Sequence, residues 1–353
     1  MPSKSLLVAW YVDAFVALLL FTLGFYLCAQ TAANPWATDL LASVGFFVVG
    51  VMLFVGCWRV NGAELGAFGY MKETYIVPKD DADFCAPGTI PALMAGTFQA
   101  LGQISLFLGF YFFQSSIGVM TCIISGTSLL SATLGYFLYK EVLTFSQITG
   151  MLGCTGGLAY LAILGTMHTS LETVLCGVAT VLFLSLRSLM AREAELEGMH
   201  PFTFTALVCL VSSLLALLLW AVLLVVGVDI WGGSENLHFA VIGGIAMALG
   251  FLFLVQAIVG GFTGPSISIA NLTSVLVLIL EHQAKDILPE PMKIYAIVIA
   301  LSGVLFMTFG DELLWLFGFN CLVGRNVLEV EEQVDEVPVE MREELMKAED
   351  RID

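Results

Sequence analysis

Apolar runs of about twenty residues recur along almost the whole of this sequence, and they leave few folds open. Crossing about 30 Å of hydrocarbon takes roughly 20 mostly apolar residues in a helix. By that ruler spans fall at about 6–28, 38–58, 90–113, 117–139, 145–165, 171–190, 203–228, 238–258, 263–282 and 292–312. Of the 353 residues 59% are hydrophobic and only 12% charged, with a mean hydropathy of +0.93. A water-soluble fold has no interior large enough to hide that much apolar surface. Helices satisfy their backbone groups internally, and no alternating ten-residue pattern offers a barrel instead. The expectation is an all-α polytopic membrane protein with ten transmembrane helices.

The net charge of −17 is unevenly spread, because from Asp311 onward 13 acids face 4 bases. This acidic segment, 313–353, reads as a flexible solvated tail, and the charge says little about the membrane part. Nothing forms a basic patch, so nucleic acid is excluded as a partner. The cysteines at 28, 57, 85, 122, 154, 176, 209 and 321 lie mostly inside apolar runs without metal-ligand spacing. They read as small buried residues, and no cofactor or metal is expected. The first apolar run is too long for a signal-peptide core and reads as a retained span.

Lys and Arg orient the chain. With the N-terminus inside, inner segments hold Lys4, Arg59, Lys72, Lys79, Lys140, Arg187, Arg192, Arg325, Arg342, Lys347 and Arg351, against Lys285 and Lys293 outside. That bias places both termini in the cytoplasm.

Two segments echo each other. "SGTSLLSATLGYFLYKE" ends at Glu141, and "GPSISIANLTSVLVLILEHQ" contains Glu281, 140 residues later. Each glutamate closes an apolar helix studded with Ser and Thr, and a helix rich in small residues follows. An odd number of spans per half turns the second half upside down, the inverted-repeat plan of secondary transporters. The halves are 1–165, with a polar loop at 59–89, and 166–312. Lys140 and Glu141 themselves read as solvated charges at the membrane surface.

At these residues the chain resembles the drug/metabolite transporter superfamily, in its EamA-like branch and its nucleotide-sugar-transporter-like solute-carrier relatives. The resemblance rests on Glu141, Gln147, Gly150 and Gly156 or Gly157, echoed by Glu281 and Gly303, and covers about residues 6–312. It implies alternating access through a central cavity lined by spans 1–4 and 6–9, with spans 5 and 10 peripheral. Members that carry phosphorylated substrates use basic residues in later spans. Here spans 7, 8 and 9 hold no Lys or Arg, which favours neutral or cationic solutes over phosphorylated anions.

Six residues are candidate substrate contacts: Asp13, Gln99, Gln103, Ser128, Ser268 and Asn271. Asp13 lies roughly 10 Å inside the hydrocarbon edge at 1.5 Å per residue. It is the carboxylate placed deepest in a span, and burial suits it to proton coupling. Gln99 and Gln103 stack on one helix face, where amides either bind a solute or join helices. Thr121, Ser125 and Ser128 share a face, and bonding back to their own helix is the plainer reading. Asn271 and Ser268 sit near the middle of span 9, too deep for the "NLT" sequon to be glycosylated. Arg187 and Arg192 read as snorkelling side chains at the inner end of span 6. Pro265 marks either an unwound cavity rim or a first-turn proline.

The expected function is secondary transport of a small polar organic solute by alternating access, proton-coupled through Asp13. The expected partners are that solute and the lipid bilayer, with a homodimer and a cytosolic protein docking on the tail as further expectations. Alternatives are a non-transporting scaffold that keeps the fold and a divalent-cation permease, which would want several carboxylates. An enzyme is not expected, since no nucleophile, His/Asp pair or metal motif shares a membrane depth.

Overall fold

A computed structural model describes residues 4–30, 35–61, 70–71, 74–75, 86–112, 123–141, 143–165, 171–227, 237–284 and 290–316. Among the described residues eleven helices carry the fold: α1 Lys4–Ala29, α2 Pro35–Asn61, α3 Thr89–Phe112, α4 Gly126–Tyr139, α5 Phe145–Gly165, α6 Leu171–Leu196, α7 Pro201–Val226, α8 Leu237–Gly260, α9 Thr263–Asn271, α10 Thr273–Ala284 and α11 Pro291–Leu316. No strand occurs among the described residues. The acidic tail and most of the 59–89 loop lie outside them, as do Thr121 and the side chain of Glu281.

Among the described residues eight segments are long and apolar enough to cross a membrane, with α9 and α10 together making one of them. They make the chain compatible with an integral multi-pass membrane protein. Apolar side chains also face outward: Val225 is 88% exposed, and Leu19, Leu218 and Ile163 stand out from α1, α7 and α5. In water, so much contiguous apolar surface would drive aggregation. Only α4 and α5 fall outside the eight, α4 having just 14 residues.

The helices pack in pairs: α1 against α8, α3 against α6, α2 against α7, α5 against α11, and α4 against α9. Further contacts join α2 to α8, α3 to α7, α1 to α9 and α4 to α6. Apolar helices in lipid gain little from hiding hydrocarbon, so close approach at small residues holds them together. A Cβ on Gly45 would stand 2.5 Å from Ile245 N, and one on Gly157 would stand 2.6 Å from Ala300 N. These contacts fix α2 on α8 and α5 on α11. One buried cluster gathers Trp10, Leu158, Ile269 and Met307, and a second gathers Phe46, Phe204, Phe251 and Val208.

Two boundaries differ from the sequence reading, and both matter for the site. Span 6 does not stop near 190: α6 runs on to Leu196, past Arg192, Glu193 and Glu195, because those charges pair with each other and with neighbouring helices. Span 9 is two helices, broken at Leu272, where the Leu272 N–H donates to Ile269 O at 3.1 Å, a tighter turn than an α-helix makes. Pro265 lies in the first turn of α9, where its missing N–H costs nothing.

Candidate functional site

The longer α6 changes what Arg187 is. It lies nine residues before Leu196, roughly 13 Å from the end of the helix at 1.5 Å per residue. The side chain is buried, at 7% exposure. Its Nη1 donates to Gln99 Oε1 at 2.5 Å, and the guanidinium lies 4.6 Å from the ring centroid of Phe251. The snorkelling reading is thereby corrected, since it came from ending the span at the first charges.

Around Arg187 the helices leave a cavity whose empty space, with the open solvent at its mouth included, is about 740 Å³. Phe21 and Phe25 of α1, Phe46 of α2, and Met247, Phe251 and Leu254 of α8 make an apolar wall. Gln99 and Gln103 of α3, Thr127 of α4, Arg187 and Ser188 of α6, Asn271, and Thr273 and Ser274 of α10 make a polar one. Helices α5, α7 and α11 contribute no lining residue.

Three of the six candidate contacts meet here. Gln99 and Gln103 are 3% and 4% exposed and face the cavity one turn apart. Gln99 is engaged by Arg187, whereas Gln103 Nε2 is buried with no hydrogen-bond acceptor. Asn271 also lines the cavity, but its Nδ2 donates to Ser125 O at 3.2 Å and to Thr127 Oγ1 at 3.1 Å. It therefore ties the break between α9 and α10 to the start of α4.

The other three lie elsewhere. Ser128 donates back to Ser125 O at 2.9 Å and bonds Thr155 Oγ1 of α5 at 3.2 Å. Ser268 is fully buried outside the lining, its hydroxyl unpartnered. Asp13 is half-buried on α1, outside the lining, without a hydrogen bond or ion pair among the described residues. A carboxylate of these first helices that is held in the protein interior is instead Asp39, one turn into α2, 5% exposed and with Oδ1 unpartnered among the described residues. It was not singled out in the sequence; α2 starts at Pro35, ahead of it, and packs against α8.

A second cluster of charge sits where α4 ends. Lys140 adopts a left-handed conformation, φ 58°, and the N–H groups of Lys140 and Glu141 both turn back to Gly135 O. This reversal points Glu141 inward, and Gly135 leaves room for it: a Cβ there would lie 3.0 Å from Glu141 Oε2. Glu141 is 8% exposed. It accepts from Thr263 N at 3.3 Å and Thr263 Oγ1 at 2.9 Å, with Arg192 Nε at 3.6 Å. The glutamate is a buried cap on α9, which corrects its reading as a solvated surface charge. Nearby, the Gly88 N–H donates to the Glu197 carboxylate, so acids hold the starts of both α3 and α9.

No family model matches the sequence, and no curated protein is significantly similar to it. A solved crystal structure of a protein superposes with a TM-score of 0.63 at 17% identity, covering 86% of this chain and 97% of that one. At that identity the likeness speaks for the fold alone.

Proposed function

We propose that this chain is a secondary transporter that moves a small polar organic solute across a membrane by alternating access. The observation that carries the reading is the two-faced cavity around Arg187, built from α1–α4, α6 and α8–α10. Solute sites of secondary transporters lie between repeats and beside interrupted helices, and here the break at Leu272 adjoins the lining residues Asn271 and Thr273.

The packing supports a five-plus-five plan of ten spans. Counting α9 and α10 as one span, a shift by five turns the α1–α8 contact into α6–α3, α2–α8 into α7–α3 and α1–α9 into α6–α4, all of which occur. The pairs α2–α7, α4–α9 and α5–α11 map onto themselves. Such exchange is what two halves related by a two-fold axis require. With the Lys and Arg bias, this plan puts both termini and the Glu141 cluster on the cytoplasmic side.

A divalent-cation permease fits poorly, because a buried arginine in the cavity repels a metal ion. The position of Asp13 gives no support to its coupling protons. Uptake into proteoliposomes tests the proposal, comparing wild type with Ala270→Trp, which fills the cavity. Flux that the substitution abolishes supports transport, whereas no flux for any solute in a broad panel leaves the non-transporting scaffold.

A further inference from the structure

Arg187 is a cation without an anion. Among the described residues no Asp or Glu lines its cavity, and the ion pairs there, Arg192 with Glu141 and Glu195 and Lys293 with Glu290, do not involve it. Its partners are a neutral amide and an aromatic ring. Arg187 Nε–H and Gln103 Nε2 are both buried without an acceptor. An unpaired buried charge and two unspent donors in one cavity call for a bound acceptor that carries negative charge.

The geometry points to an organic monoanion of the carboxylate type, with an apolar or aromatic body, as the ligand of this cavity; the inference rests on the transport reading and names its substrate class. The arginine fork and the Gln103 amide receive the charged head, reached by rotating the terminal torsions of both side chains. Phe21, Phe25 and Phe46 then face the body, and Asn271 lies on the polar side. Among the described residues one cationic side chain lines the cavity, which neutralises one charge. A phosphomonoester dianion would keep one charge uncompensated away from water, and an ammonium would face the guanidinium directly. The preference for neutral or cationic solutes, argued from the lack of Lys and Arg in spans 7, 8 and 9, gives way because the cation arrives on α6.

Thermal unfolding of the full-length protein in detergent, read with millimolar benzoate, benzamide, benzylammonium and phenyl phosphate, tests the assignment. These probes share one ring and differ in charge. Benzoate is expected to stabilise the wild type most, and its apparent affinity should fall by at least about tenfold in Arg187→Gln, as loss of a hydrogen bond to a charged group requires. Gln103→Glu is the companion variant that keeps the fold: it supplies an internal carboxylate to Arg187, so it should raise the unfolding temperature without ligand and erase the benzoate shift. Equal or greater stabilisation by benzamide, benzylammonium or phenyl phosphate overturns the proposal, as does a benzoate shift that survives in both variants or is missing from the wild type. Proteoliposome exchange of radiolabelled benzoate separates the two readings. Binding without exchange upholds the anion site and ends the transport proposal, whereas exchange of benzamide without benzoate binding does the reverse.

Discussion

The Glu141 carboxylate accepts hydrogen bonds from both the backbone N–H and the hydroxyl of Thr263, 122 residues away in the chain. A charged acceptor on two donors at a helix start also meets the positive end of the helix dipole. Arg192, at 3.6 Å from the same carboxylate and donating to Val259 O at 3.3 Å, completes a join between the α4–α5 connection, α6, the last turn of α8 and the start of α9. Glu141→Gln should destabilise the protein by about 1–3 kcal/mol, the worth of hydrogen bonds to a charged group. Thr263→Val should cost about 1 kcal/mol, and a double-mutant cycle followed by thermal unfolding should give less than the sum. Additive losses would mean that the contact is not energetically coupled.

Arg187 is predicted to trade stability for binding. A buried cation without a counter-ion carries a desolvation cost, and replacing buried charges by apolar residues of similar volume often stabilises by about 1–4 kcal/mol. Arg187→Met should therefore raise the unfolding temperature in the absence of ligand, while solute flux is lost. A fall in stability would show that the bond to Gln99 and the contact with Phe251 outweigh the desolvation cost.

The two carboxylates of the first two helices should behave differently. Asp39 is buried with an unpartnered oxygen, so Asp39→Asn, which keeps its shape and removes its charge, should stabilise by about 1–3 kcal/mol. Asp13→Asn, at a half-buried position outside the cavity, should change neither stability nor the dependence of flux on an imposed pH gradient. A flux that loses its pH dependence in Asp13→Asn would restore the proton-coupling role to that residue.

Helix contacts away from the cavity should affect folding and not binding. Gly157→Leu would drive a side chain into Ala300, whose N lies 2.6 Å from where the Cβ would stand, at a cost of about 1–3 kcal/mol from overpacking. Because α5 and α11 contribute nothing to the lining, the apparent affinity for the solute in the folded fraction should stay within about twofold, well under the factor of ten that 1.4 kcal/mol represents. A large change in affinity would mean that this pair moves with the site.

The sequence determined the helical, membrane-compatible character of the chain, because the length and apolarity of each run follow from the bilayer as solvent and need no tertiary contact. It also determined that Gln99 and Gln103 share a face, since a spacing of four is fixed by the helix itself. Asn271 could be placed near mid-span for the same reason. What the sequence could not supply was the fate of each charge. Arg187 and Glu141 both read as interfacial, because a charge beside an apolar run is assigned to water unless a partner is known, and Asp39 was not singled out. Their partners are Gln99 and Phe251 for Arg187, and Thr263 and Arg192 for Glu141. All of these partners are distant in the chain, so only the tertiary structure could carry these side chains inward. Asp13 shows the converse: depth along a helix is set by sequence, but the direction a side chain faces depends on which neighbour covers that side, and the neighbours of α1 leave Asp13 half-exposed while they enclose Arg187.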